Sequence, residues 1–179
     1  MCEFCSIIKG KEEAETIYED NKVMAVLHLK PSHPGQVLLF TKEHYPIFEQ
    51  VTDPLVAHTF KIANKISTVL FETLNIQGTN IVVQNGTAAG QVIPHFALNI
   101  IPRSEGDGLN FQWEPKKISK DEMDTAQLQL KEFAENIHPS MFQKETVKVK
   151  PKTEEAQPLK LDKNKENYLI KQIIRIPRV

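Results

Sequence analysis

One segment of this chain keeps the period of a helix while the segments around it keep the period of a strand. From Pro54 onward Val56, Phe60, Ala63, Ile66, Leu70 and Leu74 recur at steps of three or four, which places them on one helical stripe. Asp53 is placed to cap this helix, and Pro54 suits its first turn. The flanking stretches read as strands. "ETIYEDNKVMAVLHL" gives two short ones around a turn at Asp20-Asn21, with Val23, Ala25 and Leu27 alternating against Met24, Val26 and His28. "KPSHPG" is a loop punctuated by two prolines and a glycine. "QVLLFTK" is apolar enough for a central strand, "GTNIVVQN" is a strand ended by Asn85-Gly86, and "GTAAGQ" is a glycine-bearing loop.

The next stretch, "GQVIPHFALNIIPR", alternates like a strand buried on one face. Its His95, Ala97 and Asn99 are spaced by two, so they are expected to project the same way. An imidazole, a methyl and an amide then share one surface. "SEGDGLNFQWEPKK" follows as a loop. "SKDEMDTAQLQLKEFAENI" reads as a helix capped by Ser119, with a stripe of Met123, Ala126, Leu130, Phe133 and Ile137. Core packing is the expected fate of both helical stripes.

A chain of 179 residues with 40% apolar content suits one ordinary domain plus an extension. The composition changes past Pro139, which divides the chain into a domain at 1–138 and a Lys-rich linker with an apolar end at 139–179. Residues 144–179 hold ten Lys/Arg against five Asp/Glu, while the part before them carries −6 of a net −1. Such a tail docks on its own acidic body, meets an anionic partner, or stays a solvated linker. Its last segment, with Tyr168, Ile170, Ile173, Ile174 and Ile176, is read as a strand or short helix that docks.

No apolar run is long enough to span a bilayer, and "MCEFCSIIKG" lacks the pattern of a signal peptide. A cytoplasmic protein is therefore expected, with no membrane partner. In a reducing compartment the CxxC of Cys2 and Cys5 points to metal binding or redox chemistry before a structural disulfide.

"CEFCSIIKG", "IYEDNKVMAVL", "PSHPGQVLLFTKEHY", "QNGTAAGQ" and "PHFALNIIPR" stand in the order seen in histidine triad (HIT) proteins. "GDGL" followed by "SKDEM" resembles their bacterial and archaeal branch. The resemblance covers residues 1–138. It implies an α+β fold: a five-stranded antiparallel sheet carrying one long and one shorter helix. It also implies a homodimer paired through the long helix and a strand.

The resemblance implies a chemistry as well. In the family, three histidines alternate along the last strand and hold a nucleotide α-phosphate. The middle one attacks phosphorus, for which imidazole is suited near neutral pH. Here those positions are His95, Ala97 and Asn99. Alanine has no nucleophile, and an amide donates a hydrogen bond but is no general acid at pH 7. No residue is therefore assigned a catalytic role. His28 stands where the family meets the ribose, and Gln36 where a histidine follows Pro-Gly. Gln84, with Asn85 beside it, precedes the glycine-bearing loop. The candidate ligand set is His28, Gln84, Asn85, Gly90, Gln91 and Asn99, and the candidate ligand is a purine nucleotide.

In the zinc-containing branch the metal ligands correspond to Cys2, Cys5, His44 and His95. Two thiolates and two imidazoles make a closed tetrahedral site, structural in character. Three functions follow as expectations. One is a catalytically silent module that binds a nucleotide, a protein, or an RNA-related partner through residues 144–179. The alternative is a nucleotide hydrolase or transferase of altered chemistry, with an activated water or a substitute nucleophile, for which His28 and His33 are the nearby histidines. The third is a purely structural role resting on the tail.

Overall fold

The computed structural model describes residues 2–134. The linker, the Lys-rich arm, the apolar end and Ile137 lie outside the described residues. Five strands, β1 (Thr16–Glu19), β2 (Val23–Leu27), β3 (Val37–Thr41), β4 (Gly78–Val83) and β5 (Ala97–Arg103), form one sheet in the order β1-β2-β3-β5-β4. Every pairing is antiparallel. Among the described residues three α-helices accompany it: α1 (Glu3–Ile8), α2 (Asp53–Leu74) and α3 (Lys120–Ala134). The α+β architecture implied by the family resemblance is thus the one observed. No helix among the described residues is long and apolar enough to cross a membrane.

The β1–β2 turn is made by Asp20, whose Oδ1 accepts the N–H groups of Lys22 and Val23 at 2.7 and 2.8 Å. This is the local bonding for which Asp is favoured in turns. Beyond the turn, strand alternation sorts the sheet into two faces. Val23, Ala25, Val37, Leu39, Leu98 and Ile100 point to α2 and form the main core with Leu55, Ile62, Ala63, Ile66 and Leu70. Each fully buried Leu or Ile there contributes on the order of 1.5–3 kcal/mol.

The opposite face is only partly covered. Phe4 of α1 stacks on Phe40 with ring centroids 4.4 Å apart, over Met24 and Val26. With six residues, α1 shields one end of this face. The remainder of the face carries the candidate site.

Several expectations need correction. The helix α2 begins at Asp53, its N-cap is Thr52, and no side chain caps it. Its buried face runs through Leu55, Thr59, Ile62, Ala63, Ile66 and Leu70, while Phe60 and Leu74 are exposed. Thr59 is tolerated in the core because its hydroxyl donates to the Leu55 carbonyl at 2.8 Å. The helix α1 was not anticipated at all, since six residues are too few to display a helical period. His95 precedes β5, in a turn where the N–H of Phe96 donates to the Tyr45 carbonyl at 2.6 Å.

Ser119 does cap α3. Its Oγ accepts the N–H of Glu122 at 3.2 Å, and Glu122 Oε2 accepts the N–H of Ser119 at 2.8 Å, a reciprocal capping box. Yet every residue of α3 is exposed, Met123, Leu130 and Phe133 included. The expected core packing of this stripe is not found among the described residues. Periodicity fixes a stripe but not what covers it.

Candidate metal centre and ligand groove

Cys2 sits at the N-cap of α1 with extended backbone, and Cys5 lies in the first turn. His44 follows β3, and His95 precedes β5. The fold brings these three distant segments together. Cys2 Sγ lies 3.4 Å from His95 Nδ1, and Cys5 Sγ lies 3.3 Å from His44 Nδ1 and 3.7 Å from His95 Nδ1. The two Nδ1 atoms are 3.2 Å apart, and all four donor atoms fall within 4.8 Å of one another. Bonds of about 2.0–2.3 Å in a tetrahedron put the ligand atoms roughly 3.3–3.8 Å apart. The four residues are therefore positioned to bind one metal ion.

The orientation of His95 is set by its other nitrogen. Nε2–H donates to the Thr41 carbonyl at 2.7 Å, which leaves the Nδ1 lone pair facing the cysteines. The ring is buried, with Phe4 and Phe40 edge-on to it at 5.6 and 6.0 Å. Burial lowers its pKa and favours the neutral imidazole that a metal requires.

His95 also borders the open face of the sheet. Together with Phe4, His28, Gln84, Ala97 and Asn99 it lines a cavity of about 140 Å³. A neighbouring cavity of about 300 Å³ shares His28, Gln84 and Asn99 and extends to Ser32, Gln36 and Phe111. His95, Ala97 and Asn99 do share one side, as their spacing predicts.

Neutral amides run through the groove as an oriented chain. Ser32 donates from N and Oγ to Gln36 Oε1 at 2.8 and 2.9 Å. Gln36 Nε2 donates to Asn99 Oδ1 at 3.1 Å, and Asn99 Nδ2 donates to Gln84 Oε1 at 3.4 Å. Every donor points the same way, so the chain ends on the free NH₂ of Gln84. His28 Nδ1 accepts the N–H of Lys30 at 3.0 Å. With Nδ1 as the acceptor, Nε2 is the nitrogen that carries the ring N–H. His28 thus offers the groove a donor and no nucleophilic lone pair.

The other candidate ligand residues fare differently. Asn85 does not line the groove. Its Oδ1 accepts the N–H of Phe48 at 2.9 Å, and its Nδ2 donates to Glu49 Oε1 at 2.7 Å. Gln91 touches the cavity, but its amide holds the loop: Oε1 accepts the N–H of Gly86 at 2.8 Å, and Nε2 donates to Pro46 and Ile93 carbonyls at 2.7 and 3.0 Å. Gly90 lines neither cavity. Its φ is +85°, and a Cβ there would fall 2.8 Å from Gln84 Nε2. It makes room for the Gln84 side chain.

Sequence reading missed Thr41 and Phe111, and it gave Gln36 only as a departure. Gln36 alternates with Leu38 and Phe40, so strand period alone could have placed it on the face of Asn99.

The HIT domain model matches residues 9–106. The chain belongs to the HIT family. An uncharacterized HIT-like protein of Methanocaldococcus jannaschii is 40% identical over 124 residues, covering 69% of this chain and 95% of its own. A Zn-bound histidine triad family protein from Mycobacterium smegmatis superimposes with TM-score 0.59 at 30% identity, covering 74% of this chain and 96% of its own. A histidine triad nucleotide-binding protein from Candida albicans superimposes with TM-score 0.69 at 26% identity, covering 77% and 100%. This HIT chain departs from the histidine triad at its centre, where Ala97 and Asn99 stand.

Proposed function

We propose that this HIT protein binds the phosphate of a purine nucleotide without transferring it, on a scaffold pinned by a structural zinc ion. The observation that carries the reading is the oriented amide chain around Ala97. It ends in a neutral donor, the Gln84 amide, beside the Nε2–H of His28, and its amides present no nucleophile. Such donors suit an anionic oxygen. The nucleotide-binding relative from Candida albicans supports the choice of ligand.

Zinc fits the four donors at Cys2, Cys5, His44 and His95, and the Zn-bound relative from Mycobacterium smegmatis supports that choice. Bound there, the ion would cross-link α1, the loop after β3 and the turn before β5, with no coordination position left for catalysis. Reduced thiols of this kind suit a cytoplasmic location.

The family's dimer is proposed to form along β4, an edge strand that pairs only with β5. Ile81 on β4 and Phe60 and Leu74 on α2 support this, because all three are exposed apolar side chains, and Phe60 and Leu74 stand seven residues either side of Ser67, which bonds Thr79 of β4.

The alternative, hydrolysis through His28, is opposed by the tautomer that Lys30 imposes. Calorimetric titration with AMP, run beside an adenosine phosphoramidate turnover assay, separates the readings. Saturable AMP binding that weakens in Gln84→Ala is expected, with no turnover above the uncatalysed rate. Turnover lost in His28→Ala would overturn the proposal.

A further inference from the structure

We infer that Cys2 and Cys5 form an oxidation site for hydroperoxides: the pair closes to a disulfide, releases the metal ion and loosens α1 from the sheet. The released ion rests on the metal reading, while the thiol chemistry stands on the geometry of the pair itself.

The four-donor cluster is closed on one side and open on the other. His95 is 2% exposed, with Phe4 and Phe40 edge-on to its ring. Cys2 and Cys5 are partly exposed, and His44 is exposed. A small oxidant in solvent therefore reaches the sulfurs, which are the most readily oxidised atoms of the four.

The pair is also placed to close. The two Sγ atoms lie within 4.8 Å of each other. Residues three apart on a helical turn have Cα atoms about 5 Å apart, inside the roughly 4.4–6.8 Å that a disulfide spans. Closure is within reach of side-chain rotation.

One thiolate sulfur attacks an oxygen of the hydroperoxide. The S–O bond forms, the O–O bond breaks, and the departing oxygen takes a solvent proton and leaves as water or an alcohol. The second sulfur then attacks the sulfenic sulfur. The S–S bond forms, the S–O bond breaks, and the hydroxyl leaves as water with a second solvent proton. Two electrons pass from the sulfurs to the peroxide. Zinc takes thiolate ligands and not a disulfide, so half of its ligand set is lost and it leaves as the hydrated ion.

The helix α1 depends on that ion more than the rest of the domain does. Six residues are too few for a helix to stand alone. Phe4, Ile7 and Ile8 hold α1 in a small cluster over Met24, Val26 and Phe40. None of the residues of α1 belongs to the main core between the sheet and α2. Oxidation therefore loosens α1 while the domain stays folded. Phe4 and His95 both line the smaller cavity, so the change reaches one wall of the groove.

The test measures the zinc content of the full chain, treats it with stoichiometric hydrogen peroxide, and follows free zinc with a chromogenic chelator. Peptide mapping and hydrogen exchange of the α1 amides complete it. The expected result is release of the bound zinc together with a Cys2–Cys5 peptide lacking two hydrogens. Exchange in α1 should rise about tenfold while exchange in α2 and β5 is unchanged. A thiol reductant with added zinc should restore all three signals. Cys2→Ser, treated alike, should give no disulfide, and its Cys5 should take up oxygen instead. Wild-type sulfurs that take up oxygen without pairing, or a disulfide that leaves α1 exchange unchanged, would overturn the inference. If the chain carries no zinc and the cysteines still pair and loosen α1, the metal reading falls and the oxidation site stands.

Discussion

His95 and Thr41 are joined by a 2.7 Å hydrogen bond from Nε2–H to the backbone carbonyl at the end of β3. This bond commits one nitrogen of the ring to the sheet and leaves the other to the cysteines. Its partners are backbone and metal ligands, so nothing in it depends on a nucleophile two residues away. His95 can therefore hold its place whatever residues stand at 97 and 99, here Ala97 and Asn99.

Purified protein is expected to carry one zinc per chain by elemental analysis. The double variant Cys2→Ser, Cys5→Ser should carry none. The domain has a core of its own, so loss of the metal should lower stability without abolishing the fold. A loss of about 2 kcal/mol would lower the melting temperature by roughly 4–8 °C for a chain of this size. A metal-free wild type, or a double variant that melts at the wild-type temperature, would refute a structural ion.

An imidazole placed at position 97 tests the proposed silence of the groove directly. Ala97 lines the smaller cavity next to Asn99 and Gln84, so an imidazole at 97 would enter it. Ala97→His is expected to form a covalent nucleotidyl adduct with adenosine phosphoramidate, seen as one AMP unit added in the intact mass. Its formation breaks the P–N bond and expels ammonia, so it should be slow, because Asn99 cannot protonate the leaving group. Absence of the adduct under conditions where AMP binds would show that the groove no longer holds phosphorus in line with position 97.

The four-donor group and the alanine at 97 were legible in the sequence because both are patterns of identity. Cys2, Cys5, His44 and His95 can be named without knowing any distance, and Ala97 declares the absence of a ring by being alanine. What escaped depends on partners far along the chain. Asn85 could face a ligand or the backbone of Phe48, and only the fold shows that the N–H of Phe48 claims it. The stripe of α2 was read from Val56, but burial begins at Leu55, because Thr59 hides its hydroxyl on a backbone carbonyl. The amide chain from Gln36 to Gln84 needs three strands in register, β3, β5 and β4, before it exists.

Asp20 should make stability depend on acid pH. Burial works against its charge, but the N–H groups of Lys22 and Val23, with His58 and Tyr18, outweigh burial and hold its pKa well below the ordinary carboxylate range. A pKa lowered by folding contributes stability above the unfolded value, about 3.9, and that contribution is lost as pH falls toward the folded value. Asp20→Ala is expected to cost about 1–2 kcal/mol in urea unfolding at pH 7. The gap between wild type and variant should shrink at pH 3 and below. A gap independent of pH would mean that the carboxylate charge contributes nothing.

The dimer proposal makes the two sheet edges unequal, and that inequality can be measured. Both β1 and β4 are edge strands with an exposed isoleucine, Ile17 at 46% and Ile81 at 40%. The strand β4 is tied to α2 by the 2.7 Å bond between Thr79 and Ser67 hydroxyls. Phe60, seven residues before Ser67 and so on the same side of the helix, is 39% exposed. An interface built there would bury Ile81 and Phe60 together, and like charges placed on both would be desolvated without a partner. Sedimentation at micromolar concentration should therefore give a dimer for the wild type and for Ile17→Lys, and a monomer for the double variant Phe60→Glu, Ile81→Glu. A dimer that survives the double variant, or one lost in Ile17→Lys, would move the interface away from β4.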